Sequence, residues 1–145
     1  MKQIVLMLSL YFFISCNSTK KFTFDYVNFD ENKKRSLAVK IPKGKLNKKN
    51  INEKELVLYY KDSTIIFFSY DKLSGASVNS GNRASIGVDV IFRKNYNDTI
   101  IFEGKVNNKL YWKECIFDDV IVGYKNVPFN KLIYFENFIS SAKRK

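Results

Sequence analysis

Two short runs, Leu56-Val57-Leu58-Tyr59-Tyr60 and Thr64-Ile65-Ile66-Phe67-Phe68, are separated only by Lys61-Asp62-Ser63, and they limit the fold more than any other feature of the chain. Branched and aromatic side chains fit a pleated surface, and two such runs around a short polar turn make a β-hairpin. Successive positions in each run are apolar, so both faces of the hairpin must be covered. That requirement places it centrally in a sheet.

Similar runs lie on either side. Phe22-Thr23-Phe24-Asp25-Tyr26 alternates apolar with polar, as do Leu37, Val39 and Ile41 with Ala38 and Lys40. Both read as strands, joined through the charged stretch Asp30 to Arg35 and closed by Pro42 and Gly44. Ile86, Val88, Val90 and Phe92 alternate with Gly87, Asp89 and Arg93, and a turn from Asn95 to Asp98 leads into Thr99-Ile100-Ile101-Phe102. The likeness of Asp62 to Phe67 and Asp98 to Phe102 reads as repeated hairpin chemistry. Asn107-Asn108 opens a strand from Leu110 to Phe117, and Asp118-Asp119 turns it into Val120 to Tyr124. Lys45 to Lys54 is polar and reads as a loop with room for a helical turn after Asn50. Leu73 to Ser85 carries little apolar surface and reads as a long loop, either functional or mobile.

Pro128 ends strand pairing, and Asn130 is placed to cap a helix. Leu132, Phe135, Phe138, Ile139 and Ala142 recur at spacings of three and four, which puts them on one face. Phe129 is placed to pack on Tyr134 as a hydrophobic staple, and Lys143-Arg144-Lys145 to complement the carboxyl end of the helix dipole. The expected fold class is α+β: an antiparallel sheet of about seven or eight strands with a C-terminal amphipathic helix packed on one face.

The start of the chain follows a different logic. Lys2 precedes an apolar run from Ile4 to Ile14, broken only by Ser9, and then come Ser15-Cys16 and polar Asn17 to Lys21. This is the order of a secretory signal peptide, and the run is about half the ~20 residues a spanning helix needs. Phe13-Ile14-Ser15-Cys16 resembles the lipobox of bacterial lipoproteins, with Phe13 where Leu is usual. The resemblance implies a signal peptide at residues 1–15, Cys16 carrying a thioether-linked lipid, a tether over 16–21 and a single α+β domain over 22–145. Palmitate-type acyl chains then hold the protein on a membrane. Asn17 does not resemble the Asp that retains some lipoproteins at the inner membrane, and the tether lacks an acidic run of the kind associated with surface export. The expected place is the outer membrane, facing the periplasm, with the inner membrane and the cell surface as alternatives.

Removing the first 15 of 145 residues leaves 130, with a formal charge of +10. The basic residues cluster at Lys20-Lys21, Lys33-Lys34-Arg35, Lys43 to Lys49 and Lys143-Arg144-Lys145, all at expected turns, loops or ends. Such a distribution makes a solvated basic surface that attracts anionic headgroups, and no nucleic-acid partner is expected. Cys16 and Cys115 are the only cysteines. With Cys16 lipidated no disulfide framework forms, and Cys115 reads as a small buried side chain, the alternative being a reactive thiol.

The chain contains no histidine, which removes the commonest general base, the Ser-His-Asp and Cys-His arrangements and most zinc sites. The remaining carboxylate candidates for glycosidase work are Asp118-Asp119 and Glu103 with Glu114. Adjacent aspartates are ordinary turn residues. No catalytic residue, metal or cofactor is expected. The aromatic pairs Tyr59-Tyr60, Phe67-Phe68 and Tyr111-Trp112 send one ring to each face of a sheet. Tyr59, Tyr70, Tyr111 and Trp112 are therefore the candidates for an aromatic binding surface, with core packing as the alternative for each.

The last third, from Trp112-Lys113-Glu114 through Gly123 to Val127 and on to Phe135-Glu136-Asn137-Phe138-Ile139-Ser140-Ser141, resembles the ends of small exported proteins of PsbP/Mog1-like fold, including DcrB-like lipoproteins. That resemblance implies a binding or accessory role. The leading expectation is a non-enzymatic, membrane-anchored envelope lipoprotein that binds a protein partner. One alternative is an immunity protein that inhibits a periplasm-delivered toxin, and another is a carbohydrate- or lipid-binding module.

Overall fold

The computed structural model describes residues 19–28, 31–51, 55–70, 88–96, 99–117 and 120–144, with the backbone alone at 48–51 and 88–96. The apolar run at the start, Cys16, the stretch from Leu73 to Ser85 and Asp118-Asp119 lie outside the described residues.

The chain forms β1 (Thr19–Asn28), β2 (Lys33–Pro42), β3 (Leu46–Ile51), β4 (Glu55–Tyr60), β5 (Ile65–Ser69), β6 (Val88–Tyr96), β7 (Thr99–Val106), β8 (Leu110–Phe117) and β9 (Val120–Pro128). A 3-10 turn (Phe129–Lys131), helix α1 (Leu132–Ser140) and a two-residue strand β10 (Lys143–Arg144) follow. The fold is α+β, with antiparallel strands and one C-terminal α-helix packed on them.

The strands divide between two sheets rather than lying in one. The larger has seven strands in the order β3-β4-β5-β9-β8-β7-β6, and the smaller has three in the order β1-β2-β10. The β4/β5 hairpin is interior to the large sheet. Its alternation supplies both faces: Leu58, Ile66 and Phe68 join one apolar cluster, while Val57 and Phe67 join another with Phe102, Trp112, Ile116 and Ile121. Phe24 and Tyr26 of β1, Leu37, Val39 and Ile41 of β2, and Phe135, Phe138 and Ile139 of α1 all bury themselves in the first cluster. A hairpin that alternates apolar with polar satisfies the same pattern as a partner in the sheet or as a layer upon it, and here it is the layer.

Phe68 ties the layers together. Its ring centroid stands 5.2 Å from Phe24, 5.5 Å from Phe22 and 5.9 Å edge-on from Phe138, so one side chain of β5 meets both the small sheet and the helix.

Four local expectations change. Leu46 to Ile51 is a strand, not a loop; as an edge strand it tolerates lysines that a central strand would exclude. Pairing begins at Thr19, so Thr19, Lys20 and Lys21 stand opposite Pro42, Ile41 and Lys40 within the expected tether. The 3-10 turn displaces the helix start, so Lys131 rather than Asn130 occupies the N-cap, and Phe129 packs at 6.1 Å against Tyr111. Finally, Lys143 and Arg144 have left the helix; they pair with Ala38 and Leu37 of β2.

The turns follow their side chains. Asn107 and Asn108 both take positive φ, at 50° and 55°, and Lys109 N–H donates to Val106 O at 3.1 Å. Positive φ at both asparagines suits the twist of the flanking strands, and Val106 pairs with Leu110 across a three-residue connection.

Candidate functional site

Between α1 and the β7-β8-β9 part of the large sheet lies a cleft of about 440 Å³, lined by Glu103, Lys105, Tyr111, Tyr124, Leu132 and Glu136 among others. Register explains how these residues meet. Glu103 is paired with Lys113, and Lys105 with Tyr111, so all four face the helix side. β9 carries an irregularity here: Tyr111 pairs with Val127 but Lys113 pairs with Tyr124, so one residue of β8 opposes two of β9. Asn126 absorbs the extra length with φ 59°. The bulge lets Tyr124 and Val127 both face the helix-side core.

Lys113 is the electrostatic centre. Its ammonium is 3.0 Å from the Glu103 carboxylate and 2.6 Å from that of Glu136, and Tyr124 Oη donates to the other Glu136 oxygen at 2.5 Å. Burial pulls the Lys113 pKa down, but the bonds and charges of Glu136 and Glu103 outweigh it and the net direction is up. Burial, assisted by Glu136, drives the Tyr124 phenol far above its usual range. Lys113 therefore stays charged and Tyr124 stays protonated around neutrality, and neither serves as a proton carrier there. What the constellation does is clamp α1 to three strands and line the cleft with fixed polar groups beside aromatic walls.

The N-terminal end of α1 is the other notable surface. Phe129, Ile133 and Tyr134 are 73%, 61% and 42% exposed, the only large hydrophobic side chains so exposed among the described residues. Leu132 and Glu136 line the cleft on one side, while Tyr134 lines a second, smaller depression with Pro42, Lys43, Tyr60 and Asp62. The exposed residues thus form an apolar ridge with a hollow on each flank.

The candidates from the sequence are dispersed. Trp112 is buried, 1% exposed, within the cluster on the face opposite the helix, and its indole N–H has no hydrogen-bond partner. Tyr59 packs half-buried against that same cluster. Tyr70 stacks on Tyr26 at 5.8 Å on the helix side, and its hydroxyl meets Asn28 Oδ1 at 3.2 Å. Tyr111 lines the cleft, with the Lys105 ammonium 5.2 Å above its ring, and the neighbouring Trp112 borders the cleft as well. Glu103 and Glu114 face away from one another, because Glu103 pairs with Lys113 and Glu114 with Phe102. The two carboxylates do not converge as a glycosidase pair would.

Sequence reasoning missed Lys113, Tyr124 and Glu136 as a group. Their only sequence signal was a glutamate bordering the apolar face of the helix. Compared with protein-family descriptions, curated proteins and solved structures, the chain matches none of them.

Cys115 is buried on β8, and loss of hydration pushes its thiol up to about 12. At about pH 8 roughly one thiol in ten thousand is ionised, and the thiolate is the reactive form. Titration with a chromogenic disulfide should detect no reaction at Cys115 in the folded protein and one equivalent after denaturation.

Proposed function

We propose that the protein is a non-enzymatic accessory module of the bacterial envelope. Lipid on Cys16 holds it at the outer membrane facing the periplasm, and it binds a protein partner. The observation that carries this reading is the apolar ridge of Phe129, Ile133 and Tyr134. Three exposed large side chains projecting from one helix end, between two hollows, offer a partner both knobs and holes. Aromatic residues are enriched at such contacts, and a rigid helix clamped by Lys113 to Glu136 presents them at little entropic cost. The PsbP/Mog1-like resemblance of the last third agrees with a binding role.

A photo-crosslinking residue at Tyr134 tests the reading in intact cells. Irradiation should give a discrete covalent adduct with one protein, whereas the same residue at Asn107, in the β7–β8 turn, should give none. Equal or absent adducts at the two sites would remove the ridge from consideration.

A small-ligand module is the second reading. It is favoured by the volume of the cleft, about 440 Å³, which suits one sugar ring or a short acyl segment. In that case ligand would protect Tyr111, and substitution at Tyr134 would leave binding unchanged.

A further inference from the structure

We infer that the edge of the domain nearest its N-terminus is a docking surface for anionic phospholipid headgroups, which lays the domain directly on the bilayer instead of letting it hang from its tether. The inference deepens the lipid-anchored reading and rests on it for the direction in which the membrane lies.

Lysines far apart in sequence meet here. Thr19 is paired with Pro42, so the chain enters β1 beside the point where β2 runs out into Lys43 and Lys45. Lys21 and Lys40 are directly opposite each other across the β1/β2 pair, and Lys20 is one step closer to the N-terminus. Lys61 N–H donates to Lys45 O at 3.2 Å, which brings the β4–β5 turn to the same edge. All six lysines are exposed.

Their surroundings leave the charge uncompensated. Among the described residues no carboxylate pairs with any of the six; the nearest acid in sequence, Asp62, is held by Lys131. Two like charges directly opposite on neighbouring strands repel, and pairing Lys21 with Lys40 weakens the hairpin in water. A sheet of phosphate groups would relieve that repulsion.

The tether between Cys16 and β1 is short. Thr19 is three residues from Cys16, and three residues reach at most about 10 Å. A lipid on Cys16 therefore keeps this edge within about one Debye length of the headgroups, where a juxtamembrane lysine feels the surface potential. The opposite end of the hairpin, where Val27 pairs with Lys34, is about 25 Å further along the strands.

The test uses the full chain purified from bacterial membranes and reconstituted into two kinds of vesicle, phosphatidylcholine alone or phosphatidylcholine with phosphatidylglycerol. Lysines are acetylated with a water-soluble reagent and read by mass spectrometry. On the anionic vesicles Lys43, Lys45 and Lys61 should label about fivefold more slowly than on the neutral ones, while Lys34 labels equally on both. In about 1 M NaCl, where screening shortens to about 3 Å, the difference should vanish. The double reversal K43E/K45E should abolish the protection of Lys61. Equal labelling of Lys43, Lys45 and Lys61 on the two vesicles overturns the inference. The intact mass of the same preparation reports the lipid on Cys16 separately, so a failed anchor and a failed docking surface give different results.

Discussion

Replacing Phe68 with alanine should cost about 3–5 kcal/mol, the range for removing a fully buried phenyl ring. The domain should lose most of its margin of stability, since folded domains of this size hold only about 5–15 kcal/mol. The reason lies in what the ring touches: Phe22 and Phe24 of the small sheet and Phe138 of the helix, all from a position in the large sheet that is 0% exposed. Thermal denaturation should show a midpoint lowered by about 10 °C or more. Phe68→Leu, which keeps most of the volume, should lose about a third as much. A Phe68→Ala protein as stable as the parent would mean that the two sheets do not share one core.

The second large effect is expected at Gly123. A Cβ built there would lie 2.2 Å from Phe67 Cζ and 2.6 Å from the Lys113 carbonyl oxygen. One of those neighbours is an aromatic ring that is 0% exposed and the other is backbone in the adjoining strand, so neither can move aside cheaply. Gly123→Ala should cost about 3 kcal/mol and Gly123→Val more, by overpacking at a site without slack. Adding Phe67→Leu removes the ring but leaves the carbonyl. The double variant should therefore recover part of the loss, giving a coupling of about 1–2 kcal/mol in a double-mutant cycle. Strict additivity would show that the ring and the glycine do not compete for the same space.

Strand existence was legible wherever the residues had to satisfy a pleat. Leu56 to Phe68 announced a hairpin buried on both faces because no polar position interrupts either run, and β4 and β5 are interior strands. The helix was equally legible from Phe135, Phe138 and Ile139, all of which are buried. The edge strand β3 was not, because Asn47, Lys48, Lys49 and Asn50 carry no apolar periodicity; its pairing comes from backbone bonds to β4. The division into two sheets was hidden for a related reason. Alternation tells which side of Phe24 or Val39 faces apolar surroundings, but not whether those surroundings are a neighbouring strand or a layer beneath.

The candidate site was hardest to read. Glu103, Lys113, Tyr124 and Glu136 come from four elements, and their meeting depends on the β8/β9 bulge at Asn126, a feature with no reliable signature in one sequence. The aromatic candidates show the converse problem. Trp112 looked suited to a surface because it neighbours Tyr111, yet alternation alone sends the two rings to opposite faces, and the indole is buried. The residues that do stand exposed, Phe129, Ile133 and Tyr134, occupy the turn and first turns of a helix whose start was read at Asn130 and lies beyond it.

Metabolic labelling reports where the protein is held. Cells expressing the full chain or Cys16→Ser are fed radioactive palmitate, and the protein is recovered by immunoprecipitation. The account predicts label on the parent and none on Cys16→Ser, with only the parent shortened by removal of its first fifteen residues. A parent protein that carries no label, with Met1 to Ser15 still attached, would contradict it.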